Sequence, residues 1–83
     1  MSKQTQIQSA LHEANDAQLD AVWAILKYRE IGIFRKLGAM SEALNLDFDS
    51  VVEEMPTEDG RVLDYDTRHL IHDTLMEVSN HED

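Results

Sequence analysis

The side chains of this sequence that could do chemistry are four histidines and seventeen acids, set against seven lysines and arginines and no cysteine. His69 and His72 are three residues apart, His69 and Asp73 four apart, and Asp66 lies one turn before His69. On a helix these spacings put side chains on neighbouring parts of one face. Asp66, His69 and Asp73 would then form a nitrogen-and-oxygen set of the kind that can hold a divalent ion. The same spacings equally describe solvated pairs on the polar side of a terminal helix, each worth about 0.2–0.5 kcal/mol. No second ligand cluster has a recognisable spacing, so the expectation is a chain that requires neither a metal nor another cofactor.

Catalysis has even less to work with. There is no glycine-rich phosphate loop and no nucleophile beside an evident base, and 83 residues leave little mass for a water-excluding pocket. Carboxylate pairs are too plentiful to single out an acid and a base. The residues point to a binding protein rather than an enzyme.

Charge is more informative than any motif. The formal net charge is −10. Residues 1–41 carry four acids and five bases, a net +1, whereas residues 42–83 carry thirteen acids against Arg61 and Arg68, a net −11. A dense series, Asp47, Asp49, Glu53, Glu54, Glu58, Asp59, Asp64 and Asp66, runs through the middle of the acidic half. On a rigid scaffold such a series presents charge to arginines and lysines much as phosphates do. The same charge opposes direct contact with nucleic acid or an anionic membrane, where each phosphate requires a cation. The expected partner is a basic protein surface, such as that of a nucleic-acid-binding protein, with this chain as an inhibitor or antitoxin-like regulator. Trp23 joins the candidate partner-binding residues. On a helical wheel it falls beside Asp16, Asp20, Lys27 and Glu30, away from the centre of the apolar stripe. Tryptophan is enriched where partners bind, but Leu19, Trp23 and Leu26 equally read as a second face covered by the chain's own later helices.

These residues need elements to position them, and the periodicity supplies helices. Ile7, Leu11, Ala14, Gln18, Ala21, Ile25 and Tyr28 recur at steps of four and three, predicting one amphipathic helix over residues 4–30 started by Thr5 or Ser2. At 1.5 Å per residue it would be roughly 40 Å long and overhang a globule roughly 30 Å across. The same seven residues are therefore the expected homodimer interface, with Gln18 setting register. A helix over 33–45 follows, then a short one capped by Asp47 or Asp49 and ended by Pro56, a loop over 56–63, and a last helix over 65–80 capped by Asp64 or Asp66. The fold class is all-α, a small bundle of three to four helices with a long N-terminal helix, and residues 1–83 form one acidic helical domain. Without cysteines, packing alone must hold it.

The segment Met40-Ser-Glu-Ala-Leu-Asn-Leu-Asp-Phe-Asp-Ser-Val51 resembles the middle of a helix-turn-helix, with Asn45 at the turn. Its second helix would carry Asp47, Asp49, Glu53 and Glu54 and no base, which turns it away from DNA. A polar amphipathic start and the lack of any apolar run of membrane-spanning length predict a soluble, cytoplasmic protein. Two readings of another class stay open: a homo-oligomeric structural or regulatory assembly whose acidity only solubilises it, and a metal-binding helical protein built on the last helix.

Overall fold

Residues 4–30 do not form one helix, because the sequence carries two helix starts where the apolar stripe suggests one. The structure, a computed structural model, describes residues 4–80. Thr5 accepts from the backbone N–H of Gln8 while the Gln8 side chain accepts from the Thr5 N–H, and α1 runs Gln6–Glu13 behind this box. Ser2, the alternative cap, lies outside the described residues. Ten residues after Thr5 the same chemistry recurs: Asn15 Oδ1 accepts from Gln18 N at 2.8 Å, and Gln18 Oε1 accepts from Asn15 N at 3.0 Å. Ala14 and Asn15 are both extended, and α2 runs Asp16–Lys27. A reciprocal box satisfies two backbone donors at a helix start, and losing a cap of this type costs about 1 kcal/mol. That local preference wins over an unbroken stripe.

The break lets the stripe fold back on its own chain. Helix α1 packs against α5 (Asp64–Asn80), whereas α2 packs against α3 (Ile33–Ala43) and α5, and α3 packs against α4 (Phe48–Glu53). Ile7 and Leu11 meet Val22, Leu37, Met40, Leu44, Val51, Met55, Ile71 and Leu75 in one core. Each large aliphatic side chain so buried contributes about 1.5–3 kcal/mol. The radius of gyration is 12.0 Å, close to the roughly 12 Å of a compact chain this long. No overhang remains to be covered. Of the expected dimer residues, Ile7 and Leu11 belong to the chain's own core. Gln18 donates to the Ala43 carbonyl at 3.2 Å and so ties α2 to the end of α3. Ala14, Ala21 and Ile25 are part-buried, and Tyr28 is exposed.

The α3–α4 corner fits its expected place, with Asn45 at the turn. Asn45 has φ 60°, its N–H donates to Glu42 O at 3.2 Å, and the Leu46 N–H donates to Ser41 O at 2.8 Å. This is a Schellman ending with asparagine in the left-handed position, where asparagine is the next choice after glycine. Asp47 then caps α4 by accepting from the Ser50 N–H and hydroxyl at 3.1 and 2.9 Å. Residues 56–63, expected as a loop, contain a small antiparallel hairpin of β1 (Thr57–Glu58) and β2 (Arg61–Val62), paired Thr57 to Val62 and Glu58 to Arg61. Asp59 and Gly60 have φ of 55° and 78°. Positive φ at both central residues is the type I′ requirement, for which Asp-Gly is a strong signal. Among the described residues this pair is the whole of the sheet, and Glu30–Phe34, the stretch that could have competed as a strand, leads into α3 instead.

Two measurements probe this packing. Thr67 is fully buried, and its hydroxyl has no hydrogen-bond partner among the described residues. Thr67→Val, which exchanges an unpaired hydroxyl for a methyl group, is expected to stabilise the fold by about 1 kcal/mol and raise Tm by roughly 4–8 °C. An unchanged or lowered Tm would show that the hydroxyl is satisfied. Leu11→Asp should abolish cooperative unfolding, because it buries an unpaired charge, whereas Tyr28→Asp should leave the helical circular dichroism intact. The opposite order would restore the first apolar stripe as an intermolecular seam.

Candidate binding surface

Of the eight carboxylates in the candidate series, two bond to backbone, one pairs within its own helix, and five do neither among the described residues. Asp47 caps α4. Glu54 Oε1 accepts from the Gln6 backbone N–H at 2.8 Å, fastening the first turn of α1 to the residue that follows α4. Asp64 pairs with Arg68 Nε at 2.7 Å, one turn along α5. Asp49, Glu53, Glu58, Asp59 and Asp66 are exposed and make no hydrogen bond or ion pair among the described residues. They lie on α4, on the hairpin and its turn, and in the first turn of α5. The hairpin fixes the spacing of the middle pair. A hollow beside it is walled by Glu58, Asp59, Arg61 and Asp64.

Four bases of the first half, Lys27, Arg29, Arg35 and Lys36, lie close together in sequence and divide in the same way. Lys36 is buried, and its ammonium donates to the Leu26 carbonyl at 2.8 Å. That carbonyl belongs to the last turn of α2, where carbonyls lack helical partners, so Lys36 acts as a strut that ends one helix from the start of the next. Arg29 and Arg35 are exposed. Lys27 lies over the Trp23 ring, 5.1 Å from its centroid, a cation–π arrangement.

Trp23 is half-buried and forms one wall of a groove of about 380 Å³ between α2 and α5. Leu26 and Lys27 come from α2 with it, and Tyr65, Arg68, His69 and His72 come from α5. The Trp23 and His72 rings meet edge to face at 5.6 Å, and Tyr65 and His69 do so at 5.5 Å. Sequence reasoning found Trp23 and weighed the histidines as metal ligands, but missed that α5 turns Tyr65, Arg68, His69 and His72 towards Trp23. The signal was present as an i, i+3, i+4, i+7 series on α5. A single helix over residues 4–30 hides it, because α2 then lies along a rod and not beside α5.

No family model, curated protein or solved structure matches this chain. Its function is therefore argued from the surface itself.

The metal set of the last helix comes together only in part. His69 Nδ1 and His72 Nδ1 lie 3.4 and 3.7 Å from the same oxygen of Asp73, whereas Asp66 makes no contact with them. Among the described residues no group of three or more acids and histidines is placed to hold an ion. Helix content and melting temperature are expected to be the same with and without EDTA, since a bound metal adds its binding free energy to the folded state. A chelator-induced loss of helix that zinc restores would promote His69, His72 and Asp73 to ligands.

Proposed function

We propose that this chain is an acidic interaction module that occupies a basic surface on another protein, such as the cationic face of a nucleic-acid-binding protein, as an inhibitor or antitoxin-like regulator would. The observation that supports the reading is the set of five exposed carboxylates, Asp49, Glu53, Glu58, Asp59 and Asp66, that make no side-chain hydrogen bond or ion pair among the described residues. A carboxylate committed to a cap or an internal pair has its geometry already satisfied. An uncommitted one on a helix or a locked hairpin keeps its acceptor sites for an incoming arginine or lysine. Several on rigid elements raise the rate of encounter with a cationic partner and fix its orientation. Among the described residues no helix is long and apolar enough to cross a membrane.

Assembly of the chain with itself is the second reading, and one observation favours it: Ala24, Ile25, Tyr28 and Ile31 line a shallow apolar hollow near the end of α2. Its seam would use the far end of the expected dimer stripe and leave out Ile7 and Leu11.

The experiment starts from partners recovered by the intact chain and measures association with them as salt is raised. Exposed charges are screened over about 8 Å at physiological ionic strength, so the association rate should fall steeply. The variant Asp49→Asn, Glu53→Gln, Glu58→Gln, Asp66→Asn should bind at least about tenfold more weakly with helix content unchanged. Asp47, Glu54 and Asp64 are left intact because they serve the fold. Salt-independent binding, or full affinity in the amide variant, would overturn the acidic-surface reading, and a sedimenting dimer that Tyr28→Asp dissociates would favour assembly.

A further inference from the structure

The groove between α2 and α5 has the opposite character to the acidic surface. We propose that it seats an aromatic side chain flanked by a carboxylate, presented by a segment of a protein partner. The inference does not rest on the acidic-surface reading, since the two use different side chains.

Three observations carry it. The first is composition. Trp23, Tyr65 and Arg68 stand together in one concavity, and these are the residue types that dominate binding energy where proteins meet. Tyr65 is 67% exposed in the first turn of α5, leaving a large apolar ring in water that a partner ring could cover. Trp23 meets His72 and Tyr65 meets His69 edge to face, an arrangement that a further ring can extend.

The second is charge. In a chain of net −10, the groove is walled by Lys27, Arg68, His69 and His72 and by no acid. The hollows beside the hairpin and beside α1 both have carboxylates in their walls. Lys27 makes no hydrogen bond or ion pair among the described residues. Arg68 meets Asp64 through Nε, and its two terminal nitrogens make no hydrogen bond among the described residues. Those donors are free for a carboxylate beside the ring.

The third is the limit that the neighbouring acids set. Asp64 stands behind Arg68, and Asp73 stands behind His69 and His72. With the histidines neutral, Asp64 and Asp73 balance Lys27 and Arg68, so a carboxylate is held by the free donors of Lys27 and Arg68 and not by a net positive field. One carboxylate is accommodated, but a polyanion would meet the field of the whole acidic chain. Ring contact supplies most of the attraction and the carboxylate sets direction. About 380 Å³ lies at the small end of ligand clefts, room for one ring and its neighbour.

Trp23 is the only tryptophan of the chain, so its emission reports occupancy of the groove directly. The probes are acetyl-Phe-Glu-amide, acetyl-Phe-Lys-amide, acetyl-Ala-Glu-amide and free phenylacetate, each titrated into the full chain with amide and side-chain resonances followed in parallel. Acetyl-Phe-Glu-amide is expected to shift Trp23 emission saturably and to move the resonances of Tyr65, Arg68 and His72. The Lys probe should bind about threefold more weakly, as suits an exposed charge contact. The Ala probe should bind about tenfold more weakly, as suits loss of an aromatic anchor. Tyr65→Ala should weaken the Glu probe about tenfold and Arg68→Gln about threefold, both with unchanged circular dichroism. The four-amide variant of the acidic surface should bind the probe as the parent does, which keeps a failure here distinct from a failure of the acidic-surface reading. Equal binding of the Glu and Lys probes, resonance changes confined to other parts of the molecule, or no saturation would overturn the proposal. So would phenylacetate binding more tightly than any peptide, which would assign the groove to a free aromatic acid.

Discussion

The reciprocal bonds between Asn15 and Gln18 are the constraint on which the rest of the fold depends. They end one helix and begin another in the middle of a continuous apolar stripe, and so turn a rod into two segments that can face different neighbours. The same Gln18 side chain reaches Ala43 at the end of α3, which ties the new helix start to the corner that leads into α4. At 83 residues the chain has little apolar surface to spare. Folding the stripe inward brings Ile7 and Leu11 into the same core as Val22, Leu37 and Leu75, with no second molecule needed to cover them.

Within that frame the polar side chains take one of two parts. Asp47, Glu54 and Lys36 bond to backbone groups at helix ends, and Asp64 pairs with Arg68 within its own helix. Asp49, Glu53, Glu58, Asp59 and Asp66 make no side-chain hydrogen bond or ion pair among the described residues, although Asp49 and Asp66 lie in helix first turns where a carboxylate is favourable. A surface crowded with like charge repels itself and weakens the compact state, so carboxylates that hold no structure are a net cost to folding alone. Their place on short, locked elements is what makes them interesting as contacts for something else. The α2–α5 groove shows the converse arrangement, where rings and cations gather on two facing helices.

Much of this was legible in the sequence. The helices over α3, α4 and α5, the Asp47 cap, the stop at Pro56 and the turn at Asn45 all follow from local chemistry that tertiary context does not override. The long first helix was misread because apolar periodicity was weighed and the Asn-x-x-Gln box was not, although Thr5-x-x-Gln8 has the same form ten residues earlier. The hairpin was read as a loop because its strands are two residues each, too short to show alternation, and only Asp59-Gly60 announced it. The groove could not be read at all, since it exists only once α2 is free to lie beside α5. Likewise no pattern distinguishes a carboxylate that caps a helix from its neighbour two residues on that faces water.

The pairing of α1 with α5 has a consequence for how the chain reaches this state. Gln8 Nε2 donates to Thr74 Oγ1 across 66 residues of sequence, and Ile7 and Leu11 share a core with Ile71 and Leu75. Helix α2 finds α3 within a few tens of residues, but the main packing partner of α1 is absent until α5 has been synthesised. Contacts of such separation bear the largest loop-closure entropy and tend to form late. As the chain emerges during translation, the α2–α3–α4 segment can organise first, while α1 waits with its apolar side uncovered. That interval is when the protein is most open to chaperones and to aggregation, and α5 is the latch that ends it.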